Sequence, residues 1–503
     1  AGGPGPRKKK RPLTARLLNQ TALGNRVVVQ QARKQVLKET KGNYPAPLKV
    51  LEIMPDVLKR NINDALAIEA HAIGELITSD VSKNLIHVFR LNEAAKKSPV
   101  SAAPRTVERV AVLGAGVMGG GIAQLLAYRG YTARMKDIKP EAIGLGLKHA
   151  WDAFNKAVKR RRLDRREAQK MMQRISPTLD YSGFGTSDLV IEAVIEKMDV
   201  KKTVLKEVES KTSPQAIITS NTSSLSISEM QSALARPANF AGMHFFNPVD
   251  RMPLVEIIRG KQTSDEAIAT VFSVARKLEK TPVLVNDGAG FLVNRILAPY
   301  LNEAGWLLVD GASIEDVDKA LVHFGMPMGP LRLLDEVGLD VSRHAGRVMY
   351  EAFGERLRPA PPLVALEKSQ RLGKKGGLGF YKYEDGQEKE IDEAVYAELG
   401  VPRGSLKVGD KDIQQRAVFV MINEAARILE DGIVASPGDV DLGMIMGTGF
   451  PPFRGGLLRY ADQIGLSYIV RELERYRAEL GERFEPAPLL QRKAAAGEKF
   501  YAG

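Results

Sequence analysis

The sequence predicts an α/β chain: a doubly wound domain preceded by a helical segment and followed by two similar all-helical domains. Three observations carry this. Apolar strand-like runs alternate with helical stretches between Val107 and Val285, which argues for a largely parallel sheet with helices on both faces. Helical apolar spacing precedes and follows that region. Within the later helical part, Arg295, Asn302-Glu303-Ala304 and Asp310-Gly311 recur as Arg416, Asn423-Glu424-Ala425 and Asp431-Gly432, each 121 positions on. A chain of 503 residues exceeds one ordinary core, so several domains are expected.

From Thr21 to about Ala95, Leu58, Ile62, Ala65 and Leu66, then Ala70, Ile73 and Ile77, recur at helical spacing, with Gly42-Asn43-Tyr44-Pro45 as a break. Ser98 to Pro104, rich in proline, serine and alanine, reads as a linker. Strands are then expected at Val107–Leu113, Thr132–Met135, Leu189–Ala193, Ile217–Ser220 and Phe240–His244, with a helix from about Gly119. Val255–Ile258 and Pro282–Val285 are later strands, and Asp287-Gly288-Ala289-Gly290 marks a boundary. Beyond it helical periodicity runs to the C-terminus. Asp316-Val317-Asp318 returns as Asp439-Val440-Asp441, and Met326-Pro327 as Phe450-Pro451. The expected domains are therefore residues 1–103 (helical linker), 104–288 (doubly wound), 289–385 (first helical domain) and 386–503 (second repeat).

Composition narrows the function classes. Hydrophobic residues at 44% and charged residues at 26% exclude wholesale disorder and a fibrous class. The absence of cysteine excludes disulfides, thiolate nucleophiles and thiolate metal sites, and fits an intracellular chain. The apolar runs are too short to span a bilayer. Ala1 to Pro6 carry no apolar signal core and read as a fragment end. A net charge of +13 invites an anionic partner: nucleic acid, a phosphate-rich cofactor or an acidic membrane face. Its densest run, Arg7–Arg11, reads as a solvated tail.

The first chemical motif is Val110-Ala111-Val112-Leu113-Gly114-Ala115-Gly116-Val117-Met118-Gly119, a glycine fingerprint at the junction of a strand and a helix. Gly114 permits the tight turn and Gly116 lets backbone amides approach a pyrophosphate. Gly119 allows close helix packing, and the helix N-terminus favours negative charge. Asp137, 23 residues after Gly114 at the end of the second strand, can accept bonds from a ribose and repels a 2′-phosphate, so NAD is expected rather than NADP. No metal is required.

Of six histidines, His71, His87, His149, His323 and His344 lie in helical segments with no evident carboxylate or metal-ligand companion, and surface or core roles are expected for them. His244 differs, because it ends a short strand beyond the carboxyl ends of the sheet, where ligands of such folds bind. Glu256, on the next strand, stands where it could pair with the imidazole and fix its tautomer, although sequence alone leaves that pairing open.

Ser220-Asn221-Thr222-Ser223-Ser224, His244-Phe245-Phe246-Asn247-Pro248, Leu254-Val255-Glu256-Ile257-Ile258 and Gly290-Phe291-Leu292-Val293-Asn294-Arg295 resemble, in order and spacing, the signatures of the 3-hydroxyacyl-CoA dehydrogenase family. The likeness runs from about Val107 to Tyr383. The second repeat, and Gly42-Asn43-Tyr44-Pro45-Ala46-Pro47 before it, resemble multifunctional fatty-acid oxidation subunits. The resemblance implies a Rossmann-type NAD domain and oxidation of L-3-hydroxyacyl-CoA to 3-ketoacyl-CoA. It makes His244 the base, has Glu256 orient it, and has Ser223 and Asn294 hydrogen-bond the substrate. It also places Ala193, Glu196, Lys201, Ser223, Asn247 and Lys375 near the NAD, beside Gly114, Gly116, Val117, Met118, Gly119 and Asp137 of the fingerprint. The basic stretch Lys156–Arg162 is either a CoA-phosphate contact or a solvated helix face.

By the same resemblance the partners are an acyl-CoA substrate, a thiolase subunit and a hydratase domain, with peripheral membrane contact left open and no nucleic acid. The compartment is the cytoplasm, or an organellar matrix. The hydratase domain is expected to be missing, Leu13 to about Lys97 being the part that would pack on it, with some apolar face left exposed. Two other readings remain: a reductase acting on short 3-ketoacyl-CoA, and a non-catalytic basic scaffold for membrane or nucleic acid. The second repeat is expected to be structural, because Gln415 stands where Asn294 does in the first, and to replace a homodimer partner.

Overall fold

The structure, a computed structural model, describes residues 22–366, 369–404 and 408–501; the basic tail at Arg7–Arg11 lies outside them. The described residues form two compact units. One runs to His87 and takes in Pro452–Gly455; the other holds the rest.

The first unit is built of helices α1 (Ala22–Thr40), α2 (Pro45–Val57) and α3 (Ile62–Ile77), followed by α4 (Asp80–Ala94), which crosses into the second unit. The break at Gly42–Tyr44 falls where expected: Gly42 takes a φ of +80° and Pro45 starts α2, its missing N–H costing nothing in a first turn. Asn61 caps α3 by accepting from the Asn63 and Asp64 N–H groups. The Tyr44 ring meets Phe453 edge-on at 5.6 Å, and Asn84 Nδ2 donates to the Phe453 carbonyl at 2.9 Å. Leu58, Ile62, Leu66, Ile73 and Ile77, the residues that set the helical spacing, are exposed.

The second unit opens with an eight-stranded sheet of order β3-β2-β1-β4-β5-β6-β7-β8. Its strands are β1 (Arg109–Leu113), β2 (Thr132–Lys136), β3 (Ile175–Thr178), β4 (Leu189–Glu192), β5 (Ile217–Ser220), β6 (Phe240–Phe245), β7 (Leu254–Arg259) and β8 (Thr281–Asn286). Neighbours are parallel except β6 and β7. Only Phe246–Pro253 join that pair, too few residues for the dozen or more of a parallel crossover. Continuous apolar strands such as Val110–Leu113 are buried, as a sheet covered on both faces requires. The covering helices are α5 (Val117–Tyr128), α6 (Pro140–Lys159), α7 (Arg165–Met172), α8 (Met198–Lys211), α9 (Ile227–Gln231) and α10 (Asp265–Lys277). Strand order reverses between β1 and β4, and ligands of such sheets bind in the crevice there.

The first helical domain holds α11 (Val293–Val309), α12 (Ile314–Phe324), α13 (Pro330–Val337), α14 (Leu339–Phe353) and α15 (Pro361–Ala365). The expected uninterrupted helical remainder is corrected by a hairpin, β9 (Tyr381–Glu384) with β10 (Gln387–Ile391), whose turn lies at 385/386, followed by α16 (Ala394–Leu399). The repeat follows as α17 (Asp410–Glu430), α18 (Pro437–Thr448), α19 (Leu457–Ile464), α20 (Leu466–Leu480) and α21 (Pro488–Ala495).

Polar anchors repeat with the helices. Asp318 accepts from the Leu331 and Arg332 N–H groups and the Tyr381 hydroxyl; Asp441 does the same for Leu458, Arg459 and Tyr501. The recurring arginines are exchanged between repeats. Arg295 pairs with Glu424 at 2.7 Å and Asp431 at 2.5 Å, while Arg416 pairs with Glu303 at 2.5 Å and Asp310 at 2.6 Å. Each repeat offers the other the same patch, the pattern of an isologous dimer interface within one chain.

Candidate active site

The fingerprint is built as its glycines require. Gly114 has a φ of +93°, and a Cβ there would lie 2.4 Å from the Ala193 carbonyl oxygen. A Cβ on Gly119 would lie 1.8 Å from the Gly114 oxygen, so strand and helix approach this closely only without side chains. At Gly116 nothing lies within 4 Å of where a Cβ would stand, leaving open space at the N-terminus of α5 for a pyrophosphate. These features fit NAD. Asp137, just past β2, accepts from the Ala115 N–H at 2.8 Å and from Ile138 and Lys139, so its carboxylate also ties the glycine turn to the second strand.

On the far side of the switch point, β5 delivers Ser220 and then the loop Asn221–Leu225. Asn221 Oδ1 accepts from the Phe245 N–H at 2.8 Å, binding that loop to the end of β6. Glu196 Oε1 accepts from the Thr222 hydroxyl at 2.6 Å and from the Ser223 N–H at 2.8 Å and hydroxyl at 3.3 Å. Burial would raise the Glu196 carboxyl, but the Lys201 charge and these hydrogen bonds outweigh it and hold it below the usual range. Lys201 is fully buried and pairs with Glu192 at 2.7 Å and Glu196 at 3.4 Å. Glu192, unnoticed in the sequence as a lone acid ending a strand, also accepts from Ser220 at 2.5 Å and the Val194 N–H at 2.7 Å.

His244 and Glu256 are register partners on the antiparallel pair β6/β7, so their side chains share a face. His244 Nδ1 lies 2.7 Å from Glu256 Oε2, and both side chains are buried. An ionised carboxylate accepts only, so Nδ1 carries the proton and Nε2 is left as acceptor, without a protein partner among the described residues. Glu256 Oε1 accepts from the Val293 N–H at 2.9 Å and the Leu292 N–H at 3.3 Å at the start of α11. Asn294, one residue on, donates to the Ser223 carbonyl at 3.1 Å. The structure thus brings together all four expected catalytic residues, and Glu196 with Lys201 behind Ser223. Lys375, also expected near the NAD, pairs with Asp340 of the helical domain at 2.6 Å. A cleft of about 580 Å³ opens at the other ends of β7 and β8, lined by Ser224, Arg259, Lys261 and Asp287, and none of the four lines it.

Two of the remaining histidines have acidic companions that the sequence did not reveal, His71 with Glu75 at 3.3 Å and His323 with Asp410 at 3.0 Å. All four side chains are exposed, so these are surface pairs worth little. Among the described residues no cluster of potential metal ligands occurs, and no helix is long and apolar enough to cross a membrane.

Residues 109–288 match the model of the 3-hydroxyacyl-CoA dehydrogenase NAD-binding domain, and residues 290–383 and 413–501 each match that of the C-terminal domain. The chain is 42% identical over 503 residues to the fatty acid oxidation complex subunit alpha of Shewanella sp. (strain ANA-3), covering 98% of this chain and 70% of that protein. Among solved structures, 3-hydroxybutyryl-CoA dehydrogenase from Escherichia coli K12 superposes with a TM-score of 0.68 at 30% identity, covering 78% of this chain and 99% of that one. The dehydrogenase part of multifunctional enzyme 1 from C. elegans gives 0.59 at 26% identity, covering 82% and 99%. The chain belongs to the 3-hydroxyacyl-CoA dehydrogenase family, NAD-dependent oxidoreductases of fatty-acid β-oxidation.

Proposed function

We propose that the chain oxidises L-3-hydroxyacyl-CoA to 3-ketoacyl-CoA with His244 as base. The observation that carries this reading is the buried His244–Glu256 pair, whose Glu256 is held by the amides of Leu292 and Val293, immediately before the Asn294 that bonds Ser223. Nε2 takes the proton of the substrate hydroxyl as the C–H bond breaks. Glu256 stabilises the imidazolium that forms and fixes the ring. When bound, NAD accepts the hydride. Ser223, whose N–H is held by Glu196, turns its hydroxyl from Glu196 to the substrate oxygen, and Asn294 hydrogen-bonds the same oxygen as it becomes a carbonyl. The same residues serve the reverse reduction, so direction follows from metabolite levels.

We assign the remaining NAD contacts to Ala193, Glu196, Lys201 and Asn247 around the fingerprint, and we read the chain as an α-type subunit acting in the cytoplasm. Its curated relatives are subunits of fatty acid oxidation complexes, which supports a thiolase subunit as partner. The exposed Leu58, Ile62, Ile73 and Ile77 support a hydratase domain as the cover of the first unit. The test is a steady-state series of 3-hydroxyacyl-CoAs of increasing length with NAD, read by NADH absorbance. Saturable NADH formation is expected; none at any length would overturn the reading and leave a binding scaffold.

A further inference from the structure

The second repeat has no histidine, yet it reaches the catalytic pair through two glycines. Helix α18 lies on the start of α11: a Cβ on Gly443 would stand 2.5 Å from Leu292 Cδ2. One on Gly447 would stand 2.8 Å from Leu254 Cδ2 and 3.0 Å from Val293 Cγ2. Leu292 and Val293 supply the N–H groups that hold Glu256 Oε1. Phe291, immediately before them, has a φ of +52°, a backbone conformation that bulky residues adopt only where surrounding packing imposes it.

The glycines are not a property of the repeat itself. The offset of 123 that relates Asp318 to Asp441 pairs Gly443 with Ala320 and Gly447 with Phe324. Glycine inside a helix is unfavourable relative to alanine, so its use at the two positions facing Leu292 and Val293 needs a packing reason. We propose that Gly443 and Gly447 are positioning residues: they let α18 seat Leu292 and Val293 so that their amides aim Glu256, and through it His244. This rests on the dehydrogenase reading above.

The experiment uses the full chain with NAD and a 3-hydroxyacyl-CoA that the unaltered chain oxidises. Gly443→Ala and Gly447→Ala are compared with Gly438→Ala, on the same helix, whose Cβ would meet Leu91 Cδ2 at 2.9 Å, away from the pair. A half-ångström displacement takes a 3.3 Å contact out of hydrogen-bond range, and losing such a bond to a buried carboxylate corresponds to about a tenfold change in rate. We expect kcat to fall about tenfold in the first two variants, with KM for NAD unchanged and the acid limb of the kcat/KM profile moved to lower pH, and Gly438→Ala to match the unaltered chain. Should the glycine variants not fold, Leu292→Val, which loosens the same contact from the other side, takes their place with the same readouts. Unchanged kcat and pH profile, or equal losses in all three glycine variants, would overturn the proposal. Failure of the unaltered chain to form NADH would instead overturn the dehydrogenase reading.

Discussion

At the residue scale, the site rests on a few directed hydrogen bonds. His244→Gln removes the proton acceptor but leaves the fingerprint untouched, so kcat falls by roughly 10²- to 10⁴-fold while NAD binding, followed by fluorescence titration, stays near normal. Lys280 gives a second test. Its ammonium donates to the Val249 carbonyl at 2.5 Å and the Met252 carbonyl at 2.7 Å, in the turn after Asn247. Burial pushes it from 10.5 down to about 8. Between those values the unfolded chain holds the extra proton, so this group's contribution to stability rises with pH from 8 to 10.5, by at most about 3 kcal/mol. Urea midpoints of Lys280→Met should lack that rise. His244 was legible because one histidine alone ended a strand. Its contact with Glu256 was left open by the residues themselves, since register decides which acid faces it, and was supplied by the family resemblance. Glu192 and Lys201 were harder still: a buried ion pair looks in sequence like any two charges nine residues apart.

Elements were legible where burial imposes a pattern. Doubly covered strands read as apolar runs, and β1, β4 and β5 were located to within two residues at either end. Strand β3 has only one leading aliphatic residue and a proline, Ile175-Ser176-Pro177-Thr178, because it is the sheet edge. The β9–β10 hairpin hid behind lysines and glutamates on its exposed face, although Asp385-Gly386, both at positive φ, is the pair that a tight hairpin turn favours. The helical repeat showed itself through Arg295 and Arg416, but their exchange across the interface is a fact of packing. Arg416→Met leaves Glu303 and Asp310 without their shared arginine, while Arg483 stays on Glu303. Removing one partner of a buried pair costs about 3–5 kcal/mol, and Arg483 keeps this case near the lower end. Arg295→Met should cost a similar amount, since Arg356 stays on Glu424. Equilibrium denaturation of both variants checks this symmetry, and a loss confined to one of them would contradict it.

At the scale of the whole molecule, duplication has kept the scaffold and not the chemistry. The second repeat retains the aspartate anchors, the asparagine that caps the following segment, and the exchanged arginines. At the counterpart of Asn294 stands Gln415, whose amide donates to the Tyr468 hydroxyl at 2.6 Å and so is committed within the repeat rather than to a serine loop like that of Ser223. The glycine fingerprint, Asp137 and the crevice between β1 and β4 occur once among the described residues, in front of the first repeat. The helices of the second repeat bury their shared face against the first, which is the role a second subunit plays in a symmetric dimer. One chain should therefore bind one NAD. Calorimetric titration of the purified chain should give a stoichiometry of one cofactor per chain, lowered together with turnover by a bulky side chain at Gly116. Two equivalent sites, or binding that survives Gly116→Val undiminished, would show that the repeat holds nucleotide as well.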